Sequence, residues 1–239
     1  GSRWNEGDGY GYLLMESVEG AKIYENALAN REDRERFCDF YEDYKENCLN
    51  EPFFEPTQSE ADILEFTKRR ILSWKKICES KGCFNAETES YFIKYSSVID
   101  KLLPSVKMEF MHGHLTRDDI LVSGNDYVML ANILWSYRPE YYDATFNIWG
   151  GIKSLRDMSV GVGDIAAYID DWKKTYSGIS RIARDREFGR KFDLALLERC
   201  MGAILVDLEN QGYEHDKKSY VRHLRGLFKG IFDRIIEKL

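Results

Sequence analysis

The chain has 239 residues, 44% of them hydrophobic and 14% aromatic, which is enough to bury one large core or two small ones. Its 34 basic side chains face 41 acidic ones, so the formal net charge is -7, and long-range electrostatics would repel nucleic acid and anionic membranes. The sequence has no run of about 18 uninterrupted apolar residues and no signal-peptide pattern, so we expect neither a nucleic-acid partner nor a membrane partner.

The N-terminal segment predicts a loose leader followed by a strand. Residues 1–11 are polar and rich in glycine, and the opening Gly1-Ser2 is typical of a tag remnant. The apolar run over residues 12–20 ends at Gly20, which favours a buried strand followed by a turn.

Residues 21–103 predict a mainly helical region. Aromatic residues at spacings of three and four indicate an amphipathic helix over residues 31–50. A second helix follows a candidate capping box that begins at Thr57. A third starts near Ala86 and must stop at Pro104, whose ring cannot continue a helix.

The middle of the chain predicts a small hairpin within residues 106–134. Short β-like runs cover residues 106–111, 120–122 and 127–130, and the turn sequence Ser-Gly-Asn-Asp over residues 123–126 separates the last two. A polar loop precedes this hairpin.

The region 139–239 returns to helical periodicity. We predict helices at about 140–156, 163–176, 192–210 and 217–238, and the last two each carry a single apolar stripe. The expected fold class is therefore α+β, mainly α, with residues 12–239 forming one unit.

The five cysteines are an odd number in a chain without a secretion signal, which favours reduced thiols and a cytoplasmic location. Cys78 and Cys83 have the spacing Cys-x4-Cys, but no further ligands lie nearby to complete a zinc site.

Four segments together resemble one known family. Residues 110–122 read FMHGHLTRDDILV, which is similar to the catalytic loop of aminoglycoside phosphotransferases and choline kinases, His-Gly-Asp-Leu-x3-Asn-Ile-Leu. Residues 12–20 resemble the hinge strand of that family, residues 127–135 its strand ending in a metal-binding Asp, and residues 141–144 its Tyr-Asp-Leu-Ala helix start. Their order implies the C-terminal lobe of a protein-kinase-like fold, from about residue 12 to the end.

The resemblance implies a role for particular residues. Met15, Glu16 and Ser17 would form the nucleotide hinge. His112 and His114 belong to the catalytic loop, with His114 at the position of the base. An active member would use Mg²⁺ with ATP or GTP and would phosphorylate a small-molecule hydroxyl substrate.

The implied metal ligands are Asp119 and Asn132, or Ala131 if the alignment shifts by one residue. Asp143 would brace the catalytic loop or cap its helix. Asp118 and Asp119 can equally serve as turn or capping residues.

Three substitutions set this chain apart from the family pattern. Asp119 replaces the metal-ligand Asn of the loop and is still an oxygen ligand. His114 replaces the catalytic Asp, and Asn132 replaces a metal-binding carboxylate, although an amide oxygen is a poorer ligand for Mg²⁺. In addition, only eleven residues precede the hinge segment, too few for the phosphate-covering loop and lysine of an N-terminal lobe. These departures favour a catalytically impaired pseudokinase that binds a small molecule or a protein partner, with self-association through an exposed lobe interface.

Two alternatives remain open. In the first, the protein would be an active ATP- or GTP-dependent small-molecule kinase whose N-terminal lobe precedes this sequence, with His114 as base. Alternatively, His112 and His114 form a His-x-His metal site, as in metallohydrolases. A further register makes residues 7–11, with the pattern Gly-x-Gly-x-Gly, the phosphate-covering loop and Lys22 the strand lysine. It fails because residues 24–103 would then have to supply further strands, whereas their pattern is helical.

Several residues in and around the loop over residues 110–122 also have ordinary structural interpretations. A histidine at position 112 is usually structural. Aromatic side chains near the loop usually pack in the core, and here they are Trp135, Tyr141, Tyr142 and Trp149. The basic segment over residues 181–191 also contains acidic residues, which is typical of a solvated face.

Overall fold

The computed structural model describes residues 2–5, 10–13, 19–47, 60–130, 135–208 and 218–239. The chain is mainly helical, about 65% helix, with small antiparallel sheets, so the α+β, mainly α class is confirmed. In these residues no helix is both long and apolar enough to cross a bilayer.

Two strands form the N-terminal hairpin. β1 (Ser2–Asn5) pairs antiparallel with β2 (Tyr10–Leu13). β2 overlaps the start of the predicted hinge strand, but Met15, Glu16 and Ser17 lie outside the described residues. β1 and the first two residues of β2 fall within residues 1–11, the segment that the sequence predicted to be a loose leader.

The chain after the hinge segment is extended rather than helical. β3 (Ala21–Lys22) pairs antiparallel with β5 (Ile120–Ser123), so the helical prediction for residues 21–103 starts too early. Gly20 explains the close approach, because a Cβ there would lie 2.8 Å from the carbonyl oxygen of Val122. The helical prediction failed here because this pairing joins residues about 100 positions apart.

The next three elements are the predicted helices. α1 is Arg31–Asn47, α2 is Glu60–Ser80 and α3 is Ala86–Leu102. Asn85 caps α3 by accepting hydrogen bonds from the backbone of Glu87 and Thr88 at 3.0 Å each. Pro104 lies in a short 3₁₀ turn directly after α3, as its missing N–H requires. The candidate capping box at Thr57 lies outside the described residues.

The predicted hairpin is present, and the strand before it pairs with a further strand that the sequence did not predict. β4 is Met108–His112, and β5 pairs with β6 (Asp126–Met129) across a turn in which Gly124 has a φ of 63°. β4 pairs instead with β7 (Trp135–Pro139), from Met108 opposite Pro139 to His112 opposite Trp135. The segment 112–119 therefore connects two different small sheets.

Four helices complete the chain: α4 (Thr145–Ser154), α5 (Val162–Tyr176), α6 (Phe188–Gly202) and α7 (Lys218–Lys238). A π-helical turn, Ala203–Asp207, extends α6. α4 begins five residues later than predicted, because residues 140–144 form a turn in which Tyr141 has a φ of 64°. A non-glycine residue with positive φ cannot belong to a right-handed helix.

One continuous hydrophobic core includes side chains from every helix and from β4, β5 and β7. α6 lies at its centre, with buried residues on all faces, and contacts α3, α4 and α7. The core holds α4 against the loop between β4 and β5, which creates the cleft described below.

Candidate functional site

The loop between β4 and β5 is organised around the buried side chain of His112. Its Nε2 lies 3.0 Å from the carbonyl oxygen of Leu130, and its Nδ1 accepts a hydrogen bond of 3.3 Å from the backbone N–H of His114. Because a carbonyl can only accept, Nε2 carries the proton. Both ring nitrogens therefore shape the backbone, as the structural interpretation of this histidine predicts.

His114 and Asp119 form a hydrogen-bonded pair across the same loop. His114 Nδ1 lies 3.1 Å from Asp119 Oδ2, and the His114 side chain is 38% exposed. Its ring packs against Phe146 and Trp149 of α4, with centroid distances of 4.9 and 5.9 Å. The carboxylate fixes Nδ1 as the donor, so in the neutral ring the lone pair is on Nε2.

Asp119 also closes the turn that leads into β5. Its Oδ2 accepts hydrogen bonds from the backbone N–H and the hydroxyl of Thr116, at 2.8 and 2.6 Å. Burial raises the pKa of Asp119, but the hydrogen bonds from His114 and Thr116 outweigh burial and lower that pKa below its usual value. The residue is thus both a turn residue and the partner of His114.

Asp143 lies fully buried at the turn before α4. Its Oδ1 accepts hydrogen bonds of 2.8 Å from the Tyr41 hydroxyl and from the backbone N–H of Ala144, and its Oδ2 lies 3.1 Å from Lys45 Nζ. Lys45 also pairs with Glu109 of β4 at 3.3 Å. Buried charges need such partners, so Asp143 ties the start of α4 to α1.

Asp143 is linked to the loop through α1 rather than by direct contact. The Tyr44 hydroxyl, on the same helix as Tyr41 and Lys45, accepts a hydrogen bond of 2.9 Å from the backbone N–H of His112. α1 therefore holds both the end of β4 and the start of α4. This contact chain links Asp143 to the loop indirectly, and its hydrogen bond from the N–H of Ala144 lies just before α4.

A cleft of about 320 Å³ opens between this loop and α4. We call it the loop–α4 cleft. Its loop side consists of His114, Thr116, Arg117, Asp118 and Asp119, and its other side consists of Asn147, Trp149, Gly150, Gly151, Lys153, Ser154 and Arg156. Gly150 and Gly151 keep α4 thin at this point, since neither has a side chain to fill the space.

The sequence prediction and the structure agree on only part of this site. His114 and Asp119 line the cleft together, whereas His112 and Asp143 support it from the core. Met15, Glu16, Ser17 and Asn132 lie outside the described residues. The sequence analysis missed Lys153 and Arg156. The i,i+4 spacing of Trp149 and Lys153 could have shown that these two side chains lie on one face of α4.

Other proposed ligands and charged segments have ordinary surroundings. No group of three or more His, Cys, Asp or Glu side chains within the described residues could hold a metal ion. Cys38 and Cys200 are buried free thiols. In the basic segment, Lys191 pairs with Glu140 and Asp185 at 2.8 Å each, which agrees with a neutralised surface.

Comparison of the chain with protein-family models, with curated proteins and with solved structures found no match.

Proposed function

We propose that this chain carries an aminoglycoside-phosphotransferase-type site that is impaired in phosphoryl transfer and that binds a small hydroxyl-bearing ligand in the loop–α4 cleft. The observation that carries the proposal is the His114–Asp119 pair, joined at 3.1 Å on the wall of the cleft. These two residues occupy the base and metal-ligand positions of the family's loop pattern.

The arrangement of strands around this pair supports the proposal. The loop bends between β4 and β5, and the segment after the hinge pairs with β5 through Ala21 and Lys22. Asp143, in the segment that resembles Tyr-Asp-Leu-Ala, is buried at the turn before α4. Among the described residues, the loop over residues 110–122 is the resembling segment that lines the cleft.

The hydrogen bonds of the cleft support impairment of the transfer step. Asp118 and Asp119 are the two carboxylates among its described lining residues. Asp118 Oδ1 lies 2.6 Å from Lys22 Nζ, and Asp119 Oδ2 already accepts three hydrogen bonds. Since Mg²⁺ is best held by available carboxylate oxygens, these partners compete with the metal that phosphoryl transfer requires.

One observation favours a second candidate, an active small-molecule kinase. Asp119 holds Nδ1 of His114 as a donor, so Nε2 retains a lone pair that could accept the proton of a substrate hydroxyl. In the other alternative, His-x-His metal catalysis, His112 would have to give up its hydrogen bonds to Leu130 and to the backbone of His114.

The test restores the family pattern. The triple variant H114D/D119N/N132D and the wild-type chain are assayed for transfer of labelled γ-phosphate from MgATP and MgGTP to a panel of small alcohols. We expect wild-type transfer near background and a gain of about 100-fold or more in the triple variant, a typical contribution of a positioned base. D119N alone is the matched control, because it leaves His114 in place.

The outcomes separate the candidates. Wild-type transfer that is abolished by H114A and does not increase in the triple variant would establish the active kinase. A folded triple variant that neither transfers phosphate nor binds Mg-nucleotide would overturn the phosphotransferase-type proposal. Circular dichroism of each variant establishes that it is folded.

A further inference from the structure

Among the described residues that line the loop–α4 cleft, more basic than acidic side chains lack a close ionic partner. Its acidic residues are already engaged, because Asp118 pairs with Lys22 and Asp119 receives hydrogen bonds from His114 and Thr116. The basic residues Arg117, Lys153 and Arg156 remain on the wall. Of these, Arg117 lies near a carboxylate, with its Nε 4.0 Å from Asp118.

Lys153 is the least satisfied of these cations. No carboxylate of the described residues lies within ion-pair distance of its Nζ, which instead lies 4.4 Å from the ring centroid of Trp149. Burial lowers the pKa of Lys153, and the more distant Asp207 only partly opposes this. A half-buried ammonium without a counter-ion is a cost to the fold that a bound anion would relieve.

Arg156 and Trp149 add donors on the same wall. The guanidinium of Arg156 donates to the hydroxyl of Tyr220 and lies over that ring, at 5.0 Å from the centroid, so its hydrogen-bond partner there is neutral. The Tyr220 hydroxyl also donates to the backbone carbonyl of Lys153 at 2.9 Å, which ties Tyr220 to the end of α4. Trp149 Nε1, in a side chain that is 7% exposed, has no acceptor among the described residues.

The opposite wall offers a different kind of contact. His114 Nε2 can accept a hydrogen bond from a hydroxyl, as argued above for the Asp119-fixed ring. A ligand that spans the cleft would therefore meet a cationic, donor-rich side at α4 and an acceptor at the loop. At about 320 Å³, the cleft lies near the lower end of small-molecule pockets, so the ligand must be small.

We propose that the ligand of the loop–α4 cleft is a small hydroxy-oxyanion, a phosphate monoester or a carboxylate, with Lys153 and Arg156 binding the anionic group and His114 the hydroxyl. This inference deepens the proposed function, because it names the ligand class of the same cleft. It excludes cationic alcohols, which the positive wall would repel.

Calorimetric titration of the full chain at low ionic strength tests the ligand class. The probes are glycerol 3-phosphate, glycerate, uncharged glycerol and the cation choline. We expect binding of at least one of the two anions, weakening as salt is added, and none of choline. The two anionic arms distinguish a phosphate from a carboxylate ligand. Binding of choline in preference to both anions, or of glycerol as tightly as the anions, would overturn the proposal.

Substitutions then locate the anion. Lys153→Met should weaken anion binding by about 10-fold or more, the loss expected when a charged donor to an anion is removed, whereas Lys153→Arg should retain it. The matched control is Lys76→Met, an exposed residue of α2 outside the cleft. Arg156→Gln, at an exposed position, provides a second variant if Lys153→Met folds poorly. Unchanged anion affinity in both variants would also contradict the proposal.

The two proposals fail separately. The phosphate-transfer assay depends on positions 114, 119 and 132, and the titration depends on Lys153 and Arg156. An anion that binds through Lys153 without any gain of transfer in the triple variant would leave an anion-binding protein without phosphotransferase chemistry. A gain of transfer without anion binding would retain the site and discard this ligand class.

Discussion

Asp119 is the residue on which the conformation of the loop most depends. Its Oδ2 receives hydrogen bonds from Thr116 N–H, Thr116 Oγ1 and His114 Nδ1. Asp119→Ala leaves these donors without an acceptor, and we expect it to lower the free energy of unfolding by about 2 kcal/mol, as for other hydrogen bonds to charged groups. Urea denaturation at neutral pH measures this loss, with Asp170→Ala, an exposed residue of α5, as the control.

The same variant makes a prediction about pH. Because the folded-state pKa of Asp119 is lowered, its stabilisation is complete above the unfolded pKa of about 3.9 and is lost as pH falls through the folded value. The difference between the wild type and Asp119→Ala should therefore shrink as the pH falls below about 4. A difference that grew as the pH fell below about 4 would contradict the lowered pKa of Asp119.

At the scale of elements, two adjacent glycines of α4 make a matched pair. A Cβ at Gly151 would lie 2.7 Å from the carbonyl oxygen of Ala27, whereas a Cβ at Gly150 would lie 3.5 Å from Thr116 Cγ2, an ordinary contact. Gly151→Ala should therefore destabilise the protein by about 1–3 kcal/mol through overpacking. Gly150→Ala should be neutral or stabilise by up to about 1 kcal/mol, because alanine favours helix.

Thermal unfolding of both variants measures the contrast, and the wild type is the reference. Equal effects of the two substitutions would mean that α4 does not pack closely against residue 27. The contrast also matters for the cleft, since Gly150 and Gly151 both line it. Gly150→Ala should narrow the cleft while the protein remains folded.

Helices and strands with local signals could be predicted, and those that depend on distant partners could not. The periodicity over α6 and α7 predicted these helices, and Gly124 marked the turn between β5 and β6. β3 and β7 were missed because each is short and is defined by pairing with a strand far away in sequence. Residues 140–144 appear helical by pattern, but Tyr141 adopts a left-handed conformation.

The same distinction between local signals and distant contacts applies to the residues of the candidate site. The loop pattern brought out His114 and Asp119 because they are five residues apart and belong to one motif. Lys153 was not found, because its importance comes from the lack of an ion-paired carboxylate among the described residues, which only three-dimensional packing reveals. Likewise, nothing local in the sequence indicated that Arg70, Arg138 and Arg199 converge on the ring of Tyr142.

For the whole molecule, the net charge and the local charge have opposite signs. The chain carries a formal charge of -7, yet the basic residues Lys153 and Arg156 line the loop–α4 cleft without a carboxylate partner among the described residues. Charges farther apart than about 8–10 Å are largely screened at physiological salt. A small anion can therefore bind in this cleft, whereas an extended polyanion would meet the acidic surface.

The continuity of the core makes a final prediction about unfolding. Phe228 of α7 is fully buried in the same hydrophobic cluster as the residues of α1 and β4, and Gly230 allows α7 to approach α5, since a Cβ there would clash with Val162. Phe228→Ala should lower the free energy of unfolding by about 3–5 kcal/mol. Arg234→Ala, at an exposed position of α7, should change it by less than about 0.5 kcal/mol.

Because α7 shares its core with the rest of the chain, the loss should appear as one cooperative transition. Urea unfolding followed by far-UV circular dichroism reports on the helices, and tryptophan fluorescence reports on the five tryptophans. Four of these, Trp74, Trp135, Trp149 and Trp172, lie in α2, β7, α4 and α5. Both signals should shift together in Phe228→Ala. An early loss of helical signal with unchanged fluorescence would show that α7 unfolds independently, and the cleft beside Trp149 would then not depend on it.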